Sequence, residues 1–136
     1  MENSQKILIV EDDNFLGDLL VDYLNKSGIK AVLSRDAETA LKMIHQERPL
    51  LILLDLLLPG MNGLELLRTL KNEEIVPSLP VIILSNLAQK EKIEEAITLG
   101  ARDFLVKANF DLTEIARKVK DTLKIDGNSE EETPLP

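Results

Sequence analysis

Five short apolar runs, four of them cut off at once by polar residues that carry chemistry, constrain this chain more than any other feature. Ile7-Leu8-Ile9-Val10 runs into Glu11-Asp12-Asp13, and Leu50-Leu51-Ile52-Leu53-Leu54 runs into Asp55. Val81-Ile82-Ile83-Leu84 ends at Ser85-Asn86, Phe104-Leu105-Val106 ends at Lys107, and Ala31-Val32-Leu33 is the remaining run. Continuous apolar runs of this length mark strands buried on both faces.

Stretches of helical spacing separate them. Phe15, Leu16, Leu19, Leu20, Tyr23 and Leu24 form the first stripe, stopped by Ser27-Gly28. Ala37, Ala40, Leu41 and Ile44 form the second, with Asp36 placed to cap it. Leu64, Leu66, Leu67 and Leu70 follow the Pro59-Gly60 and Asn62-Gly63 turn and close before Pro77 and Pro80. Ile93, Ala96 and Ile97 are expected to face inward on a fourth helix that Gly100 terminates. Leu112, Ile115, Val119 and Leu123 line a fifth, capped by Asp111. Strand then helix, five times over, predicts an α/β fold in which a parallel sheet carries helices on both faces.

The length of 136 residues suits one domain. That domain is expected over residues 1–125, with 126–136, polar, acidic and proline-ended, as a disordered tail. The formal net charge of -8 argues against a broad nucleic-acid surface, which needs clustered Lys and Arg. The charge is unevenly spread, because the tail holds Asp126, Glu130, Glu131 and Glu132 and no base. With no Cys and a single His, His45, zinc and thiolate sites drop out. Leu50 to Leu58 is the longest apolar stretch and contains Asp55, far short of the roughly 20 residues a spanning helix needs. No signal peptide is evident at the N-terminus, and a soluble, cytoplasmic protein is expected.

In an open parallel sheet all strand C-termini share one edge, where such folds place their ligands. Glu11, Asp12, Asp55, Ser85 and Lys107 are therefore expected to converge in one cleft. Three facing carboxylates repel unless a cation sits among them, and an all-oxygen set suits Mg²⁺. A lysine and a hydroxyl beside that ion suit a phosphoryl group, and a carboxylate can itself be the nucleophile. The chemistry suggested is Mg²⁺-assisted phosphoryl transfer to an aspartate.

The stretches Ile7 to Asp13, Leu53 to Gly63, Val81 to Ser85 and Gly100 to Lys107, in this order and at strand ends, resemble the receiver domain of two-component response regulators. The likeness covers about residues 6–124. It implies a doubly wound, flavodoxin-like sheet of order 2-1-3-4-5. It also implies Asp55 as phosphoacceptor, with Glu11, Asp12, Asp55 and the backbone carbonyl of Leu57 around Mg²⁺. Ser85 would bond a phosphoryl oxygen, Lys107 would pair with Asp55 and then with the phosphoryl group, and Phe104 would be the aromatic switch residue. The implied role is that of a single-domain, chemotaxis-regulator-like signalling switch. It would be phosphorylated by a sensor histidine kinase or phosphotransfer protein, and would catalyse its own phosphorylation and slow dephosphorylation. Its output would be binding to a separate protein through the helix 4–strand 5–helix 5 face, or onward transfer in a phosphorelay, with no nucleic-acid contact and no membrane insertion.

Three positions depart from the family pattern. Ala108 follows Lys107 where a proline in a cis bond is usual, so the loop is expected to be trans or mobile. Asn86 replaces a small residue beside the phosphoryl site, and Leu50 an Asp. Ala108 and Asn86 favour the alternative of a binding module that keeps the fold without the switch. A small-molecule phosphohydrolase is disfavoured, because Leu57 stands where the haloacid-dehalogenase pattern needs a second Asp. Plainer readings of single residues are an N-cap for Asp12 or Asp13, a structural Asp55–Lys107 ion pair, a turn role for Ser85 and a core role for Phe104. His45, Arg117, Lys118 and Lys120 read as solvated surface.

Overall fold

The computed structural model describes residues 6–109 and 111–124. The expected tail, 126–136, lies outside the described residues. Strands β1 (Ile7–Val10), β2 (Ala31–Ser34), β3 (Leu51–Asp55), β4 (Val81–Ser85) and β5 (Asp103–Val106) alternate with helices α1 (Asn14–Lys26), α2 (Ala37–Glu47), α3 (Gly63–Asn72), α4 (Lys90–Thr98) and α5 (Leu112–Leu123). The strands are all parallel and lie in the order β2-β1-β3-β4-β5, as the resemblance implies.

Strand alternation divides the core in two. Ile7, Ile9, Leu51, Leu53, Ile82 and Leu84 pack with Leu20 and Leu24 of α1 and with Ile115, Ala116 and Val119 of α5. Leu8, Val10, Ile52, Leu54, Val81 and Ile83 pack on the other face with apolar residues of α2, α3 and α4. The central strands β1, β3 and β4 are buried throughout, which is why they read as unbroken apolar runs. No described helix is long and apolar enough to cross a membrane.

The caps follow residue chemistry. Asp13, not Asp12, caps α1, accepting from Leu16 N at 3.0 Å. Asp36 accepts from Thr39 N at 2.7 Å, and the two bonds from Thr39 hold its carboxyl below the ordinary value. Asn62 and Glu65 exchange bonds at 2.9 Å in a capping box at α3, and Asp111 accepts from Thr113 N at 3.0 Å.

Two apolar residues depart from the expected stripes. Phe15 is 78% exposed, and in the same turn of α1 it is Leu16 and Gly17 that face the sheet, Leu16 against the core and Gly17 against Leu33. Ile97 is 42% exposed, whereas Ile93 and Ala96 of the same helix are buried in the core beside α3 and β4. His45 is half-exposed with Nε2 2.8 Å from Glu73, and Lys118 pairs with Asp103 at 2.8 Å, so neither is simply solvated. Arg117 and Lys120 are exposed as expected.

Candidate functional site

Strand register assembles the site. Val10 pairs with Leu54, so Glu11 and Asp55 stand side by side just past the last β1–β3 rung. Glu11 N also bonds Ser34 O at 3.0 Å, extending β1 by one residue. Asp55 pairs with Leu84 and Ser85 with Val106, which sets Ser85 one residue and Lys107 two residues beyond the level of Asp55. Side chains alternate faces along a strand. Asp55 thus shares the parity of Leu51 and Leu53, toward α1 and α5, whereas Ser85 shares that of Val81 and Ile83, toward α3 and α4.

Glu11 and Asp55 are buried, 1% and 3% exposed, and Asp12 is exposed. One carboxylate oxygen from each of the three lies within 4.8 Å of the others. The Lys107 ammonium sits between the two buried acids, 3.0 Å from Glu11 Oε1 and 3.1 Å from Asp55 Oδ2. Asp55 Oδ1 accepts from Leu57 N at 3.0 Å, and Glu11 Oε2 from Asp13 N at 3.1 Å. Leu57 therefore lies beside Asp55, with its side chain 52% exposed.

Burial, and then the neighbouring charge of Asp55, push the Glu11 carboxyl up, against the opposing bonds from Asp13 N and Lys107. For Lys107, burial alone would lower the ammonium. The bond to Glu11 and the charges of Asp55 and Glu11 outweigh it, leaving the group raised and firmly protonated.

Three carboxylates against one ammonium leave the cleft short of positive charge. Glu11 Oε1, wholly buried, faces the Lys107 ammonium at 3.0 Å, the same ammonium that Asp55 Oδ2 shares. An oxygen-only set of three clustered carboxylates that share one ammonium fits a hard divalent cation such as Mg²⁺.

Ser85 is 1% exposed, and its hydroxyl donates to Gln89 Oε1 at 2.7 Å rather than to anything on Asp55. Phe104 lies on β5 with 40% of its surface exposed. The Lys107–Ala108 bond is trans, Val76–Pro77 being the cis bond among the described residues, and Lys107–Asn109 forms one 3₁₀ turn. Asn86 is exposed beside Ser85.

Two residues of the site were not singled out from sequence. Gln89 belongs to no motif in the sequence. Only its position four after Ser85, across a strand-to-helix junction, hinted at a role. Gly63 read as turn punctuation, yet a Cβ there would lie 2.5 Å from the carbonyl oxygen of Asp55.

Fold and site together define the doubly wound α/β domains that hold an acidic cluster and a lysine over the carboxyl ends of β1, β3 and β5. The response regulator receiver domain profile matches residues 7–120. Sporulation initiation phosphotransferase F of Bacillus subtilis is 36% identical over 125 residues, covering 92% of this chain and 98% of that protein. The phosphate regulon transcriptional regulatory protein PhoB of Pseudomonas aeruginosa is 30% identical over 129 residues, covering 95% of this chain and 56% of that one. The chain spans about half the length of the transcriptional regulators it matches, 54% for CrdR of Helicobacter pylori. Among solved structures, the receiver domain of NtrX from Brucella abortus superposes with a TM-score of 0.80 at 32% identity, covering 88% of this chain and 98% of that one. A CheY-like receiver domain protein from Methanospirillum hungatei gives 0.82 at 27% identity, covering 92% and 98%. The chain belongs to the response regulator receiver domain family.

Proposed function

We propose that the chain is a phosphorylation switch whose acceptor is Asp55, charged from a phosphohistidine donor. The observation that carries this reading is the setting of Asp55. It is a buried carboxylate with one oxygen held by Leu57 N and the other beside Lys107, with Glu11 and Asp12 within 4.8 Å. An ionised carboxylate so enclosed costs several kcal/mol unless its surroundings are built to hold charge.

Glu11, Asp12, Asp55 and the backbone carbonyl of Leu57 would hold Mg²⁺, which when bound supplies charge neutralisation for the phosphoryl oxygens. A carboxylate oxygen of Asp55 attacks phosphorus, the O–P bond forms, and the N–P bond to the donor imidazole breaks. The imidazole nitrogen keeps the electron pair and takes up a proton. Lys107, held protonated at this site, turns from the carboxylate to a phosphoryl oxygen, and the Ser85 hydroxyl donates to another. Water attacking phosphorus later returns free Asp55 and inorganic phosphate. Phe104, now outward, is the residue whose burial reports the change on the α4–β5–α5 face. The likeness to a protein named a phosphotransferase supports output to a separate cytoplasmic protein or onward transfer over direct binding of nucleic acid.

The test is intact-mass measurement after incubation with acetyl phosphate and Mg²⁺. One phosphoryl adduct is expected on the wild type and none on Asp55→Asn. A wild type without an adduct, or an adduct that persists in Asp55→Asn, would sink the reading.

A further inference from the structure

The hydroxyl that should serve the phosphoryl group is committed elsewhere. Ser85 Oγ donates to Gln89 Oε1 at 2.7 Å, and both residues are buried, 1% and 8% exposed. Its other contact, 3.4 Å to the Asn86 carbonyl, is long. Gln89 is held in turn, its backbone N–H donating to Asn86 O at 3.0 Å and its Oε1 lying 3.4 Å from Asn86 N. Strand parity puts the pair where it is, since Ser85 follows Val81 and Ile83 toward α3 and α4, away from the side of Asp55.

A hydroxyl has one proton to donate. Donation to Gln89 and donation to a phosphoryl oxygen on Asp55 are mutually exclusive. We propose that Gln89 is a positioning residue that latches Ser85 in the resting state and competes with the phosphoryl group for its hydroxyl proton. This rests on the reading of Asp55 as acceptor and adds the residue that sets how readily the switch responds. Gln89 closes the 3₁₀ turn Leu87–Gln89, and α4 begins at the next residue. Release of Ser85 leaves the buried Gln89 carboxamide oxygen with only the long 3.4 Å bond from Asn86 N, a poorly satisfied arrangement that folded proteins avoid. Release therefore favours a shift at the start of α4 that shortens the Asn86 bond or brings that oxygen to water. The latch thus links Ser85 to α4 directly, in parallel with any path through Phe104.

Beryllofluoride, a phosphoryl mimic that binds reversibly with Mg²⁺, provides the probe. Its affinity is read by ¹⁹F NMR titration for wild type, Gln89→Leu, Ser85→Ala and the double variant. Removal of one competing hydrogen bond should tighten binding by about three- to tenfold in Gln89→Leu. In the Ser85→Ala background the same substitution should change nothing, because no hydroxyl is left to compete for. A general structural effect would move both backgrounds alike. Unchanged or weaker binding by Gln89→Leu, or an equal shift in the Ser85→Ala background, overturns the latch. Should Gln89→Leu not fold by circular dichroism, Gln89→Ala takes its place in the cycle. A wild type that takes up no beryllofluoride overturns the receiver reading and the latch together. Wild-type uptake with an unshifted Gln89 variant overturns the latch alone.

Discussion

Gly63→Ala should destabilise the protein although it places alanine, the best helix former, in a helix. Gly63 is the first residue of α3, and its amide donates to Leu56 O at 3.1 Å. A Cβ there would lie 2.5 Å from Asp55 O, 2.7 Å from Leu56 Cα and 3.2 Å from Asp55 C. The first contact is 0.9 Å short of ordinary van der Waals contact at 3.4 Å, and all three atoms are backbone that cannot rotate aside. Overpacking of this kind costs about 1–3 kcal/mol, and rigid neighbours put it in the upper half of that range. Helix propensity and reduced freedom of the unfolded chain return at most ~1 kcal/mol at a terminal position. The net loss is about 1–2 kcal/mol, or roughly 3–10 °C in Tm for a domain of this size. Gly17→Ala is the control. Gly17 sits within α1, and its Cβ would meet only the movable end of Leu33 at 3.0 Å, so the variant should melt near or above wild type. Thermal unfolding followed by circular dichroism reads both. A Gly63→Ala protein that melts as high as Gly17→Ala would refute the argument that α3 is pressed against the carbonyl of Asp55.

Lys107→Met leaves Glu11 and Asp55 without their shared cation. Because Lys107 is partly exposed, the loss in Mg²⁺-free urea unfolding should be about 1–3 kcal/mol, below the range for a fully buried pair. Excess Mg²⁺ should restore much of it, and an equal loss with and without the ion would contradict the shared-charge picture. The raised Glu11 carboxyl binds protons more readily folded than unfolded. Stability without Mg²⁺ should therefore fall as pH rises from the ordinary carboxylate range through the folded value. Over the same window Mg²⁺ affinity should rise with pH and binding should release protons, measurable by calorimetry in two buffers. A pH-independent affinity there would contradict the assignment.

The order of elements was legible because central parallel strands are apolar on both faces and leave no ambiguity of period. β1, β3 and β4 read correctly to within a residue, and Glu11, Asp55, Ser85 and Lys107 stood out as the polar residues that end such runs. The edges were less legible. Ile97 has the spacing of a buried residue, but Ile93 and Ala96 are the ones that α4 buries. Phe15 likewise fits its stripe, but Leu16 and Gly17 take the inward positions of that turn. Gln89 and Gly63 were illegible for a different reason. Their roles depend on one contact each, with Ser85 Oγ and with Asp55 O, made across a turn whose path no pattern of residue types specifies. Asp12 and Asp13 were separable only by geometry, since either could have capped α1.

The resting arrangement also bounds what phosphorylation can accomplish alone. With the phosphoryl group on Asp55 as proposed, Ser85 exchanges a neutral bond to Gln89 for a charge-assisted one, a gain of about 1–2 kcal/mol from the usual worth of each. Covering the exposed 40% of Phe104 adds about 1 kcal/mol. Carrying a two-state equilibrium from one extreme to the other needs about 5.5 kcal/mol, so these two exchanges fall short. Lys107 contributes less than its charge suggests, because it leaves Glu11 and Asp55, already at 3.0 and 3.1 Å, to reach the phosphoryl oxygens. On the proposed function, the remainder would come from a partner that binds the phosphorylated form more tightly than the resting one. By linkage, that partner's affinity then rises on phosphorylation by the same factor that the partner adds to the phosphorylated state's bias.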